Sequence, residues 1–253
     1  RWIHTDTAGV DRLPLDLIRH REILLTNARG AHTPAVSEWA LGAILLAAKN
    51  LHTTVRARDR HSWSPHRHDI QLRGSGIVIM GLGSIGSTVA GLCAALGMRV
   101  TGISRSGAPT EGAQRVLSSN DSWSEALETA SFLLNCLPLT RETAGLVDER
   151  LLSNLPQGAW FINLGRGETV SESDLVSAID IGHLGGAVLD AFTKEPLSPE
   201  SPLWSFENII VSPHTASFTD QTETQTRLLF LRQLERYQAG VVLENSVDTL
   251  RGY

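Results

Sequence analysis

Cysteine is scarce in this chain: two in 253 residues, Cys93 and Cys136, each inside an apolar stretch. Two such thiols build no disulfide framework and read as buried groups of a reducing compartment, so the cytoplasm is the expected location. Basic charge is not in excess either, since 22 Lys and Arg stand against 27 Asp and Glu for a net charge of −5. That balance leaves no electrostatic footprint for nucleic acid. The longest apolar segment, Ala40 to Ala48, falls far short of the roughly 20 residues that span a bilayer, and no membrane partner is expected. Internal repeats, low-complexity tracts and long charge runs are missing too. His61, His66 and His68 lie close together, but no set of Cys or carboxylates completes a metal site, so a solvated loop and no metal are expected there.

What is present suits a folded enzyme. With 42% hydrophobic and 19% charged residues the chain can bury a sizeable core, in one large or two modest domains. Thr33-Pro34 reads as an N-cap followed by proline at the first helical position. Val36, Trp39, Ala40, Ala43, Ile44, Ala47 and Ala48 then recur at helical spacing, and the pattern predicts one long helix running on toward Arg60. Ser62-Trp63-Ser64-Pro65 breaks it.

Strand-like and helix-like runs alternate from there. The strands are expected at Ile77 to Met80, Arg99 to Ile103, Phe132 to Cys136, Ala159 to Asn163, Gly185 to Leu189 and Asn208 to Val211, and the alternation predicts an α/β fold with a parallel doubly wound sheet. Ser122-Trp123-Ser124-Glu125 fits a capping box and Ser171-Glu172-Ser173-Asp174 resembles one. Pro156 is expected to end a helix containing Leu151, Leu152 and Leu155. Residues 74–215 hold these six strands. Residues 1–73 and 216–253 are expected to meet as a second, substrate-binding domain, with the site in the cleft beyond the carboxyl ends of the strands.

Gly81-Leu82-Gly83-Ser84-Ile85-Gly86 follows the first of these strands and opens a helical stretch, which is the context a dinucleotide fingerprint requires. Its glycines allow a tight turn, a close backbone approach to a pyrophosphate and close helix packing, and the helix N–H groups meet the phosphates. About 20 residues further on, an NAD enzyme carries an acid that binds the ribose 2′-OH. Here the position reads Ser104-Arg105-Ser106. Arg105 offers a planar cation, with a hydroxyl on either side, for a 2′-phosphate, so NADP is favoured. NAD remains possible if Arg105 merely stacks on adenine.

Arg166, Glu195 and His214 each follow the end of a strand-like run. A cation, a carboxylate and an imidazole can together bind, polarise and protonate a 2-keto acid, which makes them the expected catalytic residues of a hydride-transfer site. Taken singly, each could be a surface arginine, a turn residue before Pro196 or a loop histidine.

The order of these motifs, together with Thr7-Ala8-Gly9-Val10-Asp11, resembles the D-isomer-specific 2-hydroxyacid dehydrogenases, among which are glyoxylate and hydroxypyruvate reductases. That resemblance covers nearly the whole chain. It implies a Rossmann domain inserted into a flavodoxin-like substrate domain whose N-terminal part is missing, since relatives carry further residues before Trp2-Ile3-His4-Thr5. It implies that His214 protonates the carbonyl oxygen, that Glu195 stabilises the imidazolium, and that Arg166 grips the substrate carboxylate with the backbone N–H groups of Ala8, Gly9 and Val10. It places Gly83, Ser84 and Ile85 on the pyrophosphate. Cys136, Leu137 and Pro138 border the adenine-side ribose, with Thr143 nearby. Leu164 and Arg166 approach the nicotinamide, and Asp190, with the Ala216 backbone, binds its carboxamide.

The Ser-Arg-Ser stretch is similar to that of NADPH-preferring glyoxylate and hydroxypyruvate reductases, implying a small 2-keto acid as substrate, and the family resemblance implies a homodimer joined through the nucleotide-binding domain. Two other readings stay open. One is an NAD-dependent dehydrogenase of phosphoglycerate, formate or D-lactate type, and the other a dinucleotide-sensing corepressor or scaffold.

Overall fold

Strands buried on both faces read as continuous apolar runs, and three of those expected, β3 (Gly76–Met80), β6 (Phe132–Asn135) and β7 (Ala159–Asn163), are buried at every residue. They form the middle of a seven-stranded parallel sheet in a computed structural model that describes residues 1–63 and 69–253. Its other strands are β4 (Arg99–Ser104), β5 (Arg115–Ser118), β8 (Leu184–Leu189) and β9 (Ile209–Val211), and the order is β5-β4-β3-β6-β7-β8-β9. Every pairing is parallel. Strand order reverses between β3 and β6, which opens a crevice at their carboxyl ends.

Alternation along each strand divides two cores. Val78 and Met80 of β3 face one cluster, with Leu133, Phe161, Leu151, Leu152 and Leu175. Ile77 and Ile79 face the other, with Phe132, Leu134 and the helices α2 (Thr33–Ala48) and α4 (Ser84–Ala95). The alanines at 40, 43, 47 and 48 give α2 a flat face that lies against Val89, Ala90 and Cys93 of α4. Although α2 belongs to the first 73 residues, its apolar face is part of the large sheet's core.

A second sheet holds β1 (Trp2–His4) and β2 (Leu24–Thr26), paired in parallel and linked through α1 (Leu15–His20). Residues from the far end of the sequence complete it. Trp2 stacks on Phe230 and Tyr237 of α8 (Thr222–Gln238), Thr26 bridges Ser246, and Val247 packs on Val10, Ile18 and Leu25.

Five local features differ from the sequence reading. The long helix stops at Ala48 and restarts as α3 (Leu51–Asp59), because Asn50 takes a left-handed conformation with φ 47° and ends the hydrogen-bond ladder between them. α3 then docks through Arg56 and Arg60 on Glu207. The edge strand β5 lacks the apolar run of its neighbours and gave no strand signal. α5 (Ser124–Leu127) begins later than its box implied, with no capping side chain. The helix before Pro156, α6 (Glu149–Leu152), ends ahead of Leu155 and is capped by Asp148. At α7 (Glu172–Asp180), Ser171 is the N-cap residue, but its hydroxyl bonds Ser173, and Asp174 accepts from the Glu149 N–H of α6. Ser64, Pro65, His66 and His68 lie outside the described residues.

Candidate active site

The loops leaving β7, β8 and β9 bring Arg166, Glu195 and His214 to one end of the large sheet. His214 Nδ1 lies 2.9 Å from both Glu195 carboxylate oxygens. Its backbone is left-handed, with φ 56°, a conformation uncommon for a non-glycine residue. A hydrogen bond from the His214 N–H to Ser212 O holds it, at 2.9 Å. Glu195 Oε1 also accepts the Phe192 N–H at 3.1 Å, and Oε2 lies 3.4 Å from Arg12. Burial pushes the Glu195 carboxyl up, but the hydrogen bonds from His214 and Phe192, with the charges of His214 and Arg12, more than reverse it. The group sits below the usual carboxylate range. With its side chain 19% exposed against 43% for His214, Glu195 is the inner member of the pair.

The loop 7–12 reaches the same place from the small sheet. Asp11 accepts from Arg166 Nε at 3.0 Å, and Arg166 Nη1 donates to Gly165 O at 3.0 Å. Gly9 is so close to the guanidinium that a Cβ there would lie 1.7 Å from Nη2. The Ala8 carbonyl accepts from Asn27 Nδ2 at 2.7 Å and the Gly9 carbonyl from the Thr7 hydroxyl at 2.8 Å. Because each peptide is planar and trans, the Gly9 and Val10 N–H groups point the opposite way from those carbonyls.

Buried polar side chains fix the loop roots. Asn135 and Asn163, on adjacent strands, join through Nδ2 and Oδ1 at 2.9 Å. Asn135 also donates to Thr169, whose hydroxyl bonds Arg166 O at 2.6 Å. Asp190 accepts from the Ser212 hydroxyl at 2.6 Å and from the N–H groups of Thr215 and Ala216 at 2.9 and 3.0 Å. It therefore shapes the turn carrying His214, and three of its roughly four acceptor positions are used. The Ala216 N–H is likewise engaged. None of Asp11, Arg12, Asn27, Asn135, Asn163, Thr169 and Ser212 was singled out from sequence for these contacts; an Asn ending each of two neighbouring strands was the available signal.

At the crevice between β3 and β6, Gly81 is left-handed, with φ 92°, and a Cβ on Gly86 would fall 1.9 Å from Gly81 O. Around Gly83 the space is open to 4 Å, and the first-turn N–H groups of α4, at Ser84, Ile85 and Gly86, have no partner within the helix. Such N–H groups at a helix N-terminus can hold a phosphate. Past the end of β6, Leu137 N–H bonds Asn135 Oδ1 at 3.2 Å, the Thr143 hydroxyl bonds Pro138 O at 2.6 Å, and Leu164 N–H bonds Asn135 O at 2.9 Å. Burial pushes the Cys136 thiol up to about 12, which keeps it neutral. Beyond β4, the Ser104 and Ser106 hydroxyl oxygens accept the Gly107 and Ala108 N–H groups at 3.1 and 3.3 Å, leaving their own protons free to donate outward.

Comparison with known proteins gives a consistent result. Residues 41–216 match the family described as D-isomer specific 2-hydroxyacid dehydrogenase, NAD binding domain. A glyoxylate reductase of Aeropyrum pernix is 34% identical, over 95% of this chain and 74% of its own length. Among solved structures, an NADPH-dependent glyoxylate/hydroxypyruvate reductase of Sinorhizobium meliloti in complex with NADP and sulfate is 32% identical, with a TM-score of 0.89 over 100% of this chain and 80% of that one. A D-isomer specific 2-hydroxyacid dehydrogenase of Xanthobacter autotrophicus in complex with NADPH and MES is 31% identical, with a TM-score of 0.89 over 100% and 79%.

Proposed function

The chain belongs to the D-isomer specific 2-hydroxyacid dehydrogenases, NAD(P)-dependent oxidoreductases of the CH–OH group, and from that membership we propose that it reduces a small 2-keto acid such as glyoxylate or hydroxypyruvate, using NADPH. The observation that carries this reading is the His214–Glu195 pair beside the Asp11-held Arg166, at the carboxyl ends of the large sheet. The NADP part rests on Ser104-Arg105-Ser106, which offers donors where an acid would repel a 2′-phosphate.

Each residue has a task. Arg166, its Nε held by Asp11, directs the rest of its fork at the substrate carboxylate, and the Gly9 and Val10 N–H groups close on the same anion. His214, anchored at Nδ1, presents Nε2 to the carbonyl oxygen and gives it a proton, while Glu195 balances the imidazolium before that step. NADPH, when bound in the crevice, supplies the hydride. The Gly83 cradle and the first turn of α4 would hold its pyrophosphate, and Cys136, Leu137, Pro138 and Thr143 would flank the ribose. Leu164 would border the nicotinamide, and Asp190, through its remaining acceptor position, would meet the carboxamide beside Ala216. In oxidation the imidazole takes the proton back, so reduction is favoured at lower pH and oxidation at higher pH.

Residues 1–73 with 216–253 form the substrate half in this reading, and 74–215 the dinucleotide half. A homodimer and a cytoplasmic location belong to the same proposal and rest on the family resemblance and the cysteine usage; light scattering tests the first. The function is tested by following NADPH and NADH absorbance with glyoxylate and hydroxypyruvate. NADPH oxidation well ahead of NADH supports it, NADH preference overturns the cofactor assignment, and no turnover with either overturns the enzyme reading.

A further inference from the structure

Arg105 is not alone at the end of β4. Its Nη1 donates to the hydroxyl of Tyr253, and its guanidinium lies over the Tyr253 ring, 5.5 Å from the centroid. Tyr253 arrives from the other half of the molecule. Segment 248–253 is a closed turn built on Asp248, whose carbonyl accepts the Arg251 and Gly252 N–H groups at 3.1 and 2.8 Å. The Asp248 carboxylate is occupied by the Leu250 and Arg251 N–H groups and by Arg251 Nε. Val247, just before this turn, packs on the small-sheet cluster of Val10, Ile18 and Leu25. Tyr253 thus spans from the small sheet to the edge of the dinucleotide crevice.

A phenol that accepts a hydrogen bond from a guanidinium still has its own O–H proton to give. Around Arg105 there are then three such hydroxyls, on Ser104, Ser106 and Tyr253, each of whose oxygens already accepts a hydrogen bond and whose proton is free. Such a set is complementary to a group with acceptor oxygens and negative charge. The tyrosine ring also fixes the plane of a long side chain that is otherwise exposed, which lowers the entropy lost when the cation is engaged.

We propose that Tyr253 is a specificity residue for the 2′-phosphate of NADP(H), donating its phenolic proton to the phosphate while holding the Arg105 guanidinium in place. The inference rests on the NADP reading above and adds a residue from outside the dinucleotide fingerprint. It also couples cofactor choice to the seating of the 248–253 segment.

The test is calorimetric binding of adenosine 2′,5′-bisphosphate and of 5′-AMP to the wild-type protein and to Tyr253→Phe and Arg105→Ala, with no turnover required. A hydrogen bond to a charged group contributes enough that Tyr253→Phe should lower the ratio of the two affinities about tenfold. Arg105→Ala should lower it further. If Tyr253→Phe keeps the wild-type ratio while Arg105→Ala loses it, Tyr253 has no part in selectivity and the proposal fails with the NADP reading intact. If the wild-type protein binds the two probes equally, the NADP reading fails and takes the proposal with it. Tyr253→Ala separates the roles of ring and hydroxyl: a larger loss than with Phe supports the stacking part, and an equal one removes it.

Discussion

At the residue scale the decisive relation is the one between His214 and Glu195. With Nδ1 committed to the carboxylate, only Nε2 can act on a substrate, so His214→Gln keeps a hydrogen-bonding side chain and loses the acid. A general acid contributes about 10²- to 10⁴-fold, and kcat of the variant should fall within that range while calorimetric affinity for NADP stays within about twofold. A comparable loss of affinity would mean that the residue shapes the cofactor site instead. Glu195 carries a second prediction, about pH. Its carboxyl lies below the ordinary carboxylate range in the folded protein, so the stability it contributes is present above the unfolded value of about 4.3 and disappears as pH falls through the lower folded value. Glu195→Gln should therefore flatten the acid limb of a plot of melting temperature against pH in that window. An unchanged slope would show that the carboxylate gains nothing from its partners.

At the scale of elements, the turn from β3 into α4 separates two uses of glycine. A Cβ on Gly86 would strike the Gly81 carbonyl, a backbone atom that cannot move without opening the turn, so Gly86→Ala should cost about 3 kcal/mol and depress the melting temperature. Gly83 has ordinary φ and open surroundings, so alanine fits there sterically and costs only about 1 kcal/mol as a poorer N-cap. The added methyl would project into the space left for a pyrophosphate, and NADP affinity should drop at least tenfold by calorimetry. The reverse pattern would refute the cradle. Both glycines were legible in the sequence because the motif sits between a buried run and a helix. So were six of the seven strands of the large sheet, most plainly β3, β6 and β7, since burial on both faces writes itself into composition. β5, on the exposed edge, carries no such mark. Nor does the break at Asn50, where apolar spacing continues on both sides while one residue goes left-handed. Asp11 and Asn135, and the hold of Asp190 on the His214 turn, were obscure for another reason: their partners lie far away in the chain, and spacing along a sequence says nothing about which loops end together.

For the whole molecule, the site depends on two sheets meeting. The loop 7–12 leaves the small sheet and touches both charged residues of the large one, Arg166 through Asp11 and Glu195 through Arg12. A contact made by neighbouring residues of one loop ties the substrate's anchoring cation and the base of the proton donor to the same piece of backbone. Any movement between the sheets would then displace both together, and productive geometry tolerates errors well below an ångström. Asp11→Asn preserves size and one acceptor oxygen but removes the charge opposite a guanidinium whose Nε it holds. The guanidinium is then free to turn, so KM for the keto acid should rise about tenfold while KM for NADPH, bound across the crevice by other residues, moves by less than about twofold. Steady-state kinetics with each substrate varied in turn checks this. Equal rises in both constants would mean that Asp11 only holds the two halves together, whereas a rise confined to the keto acid places it in the orientation of Arg166.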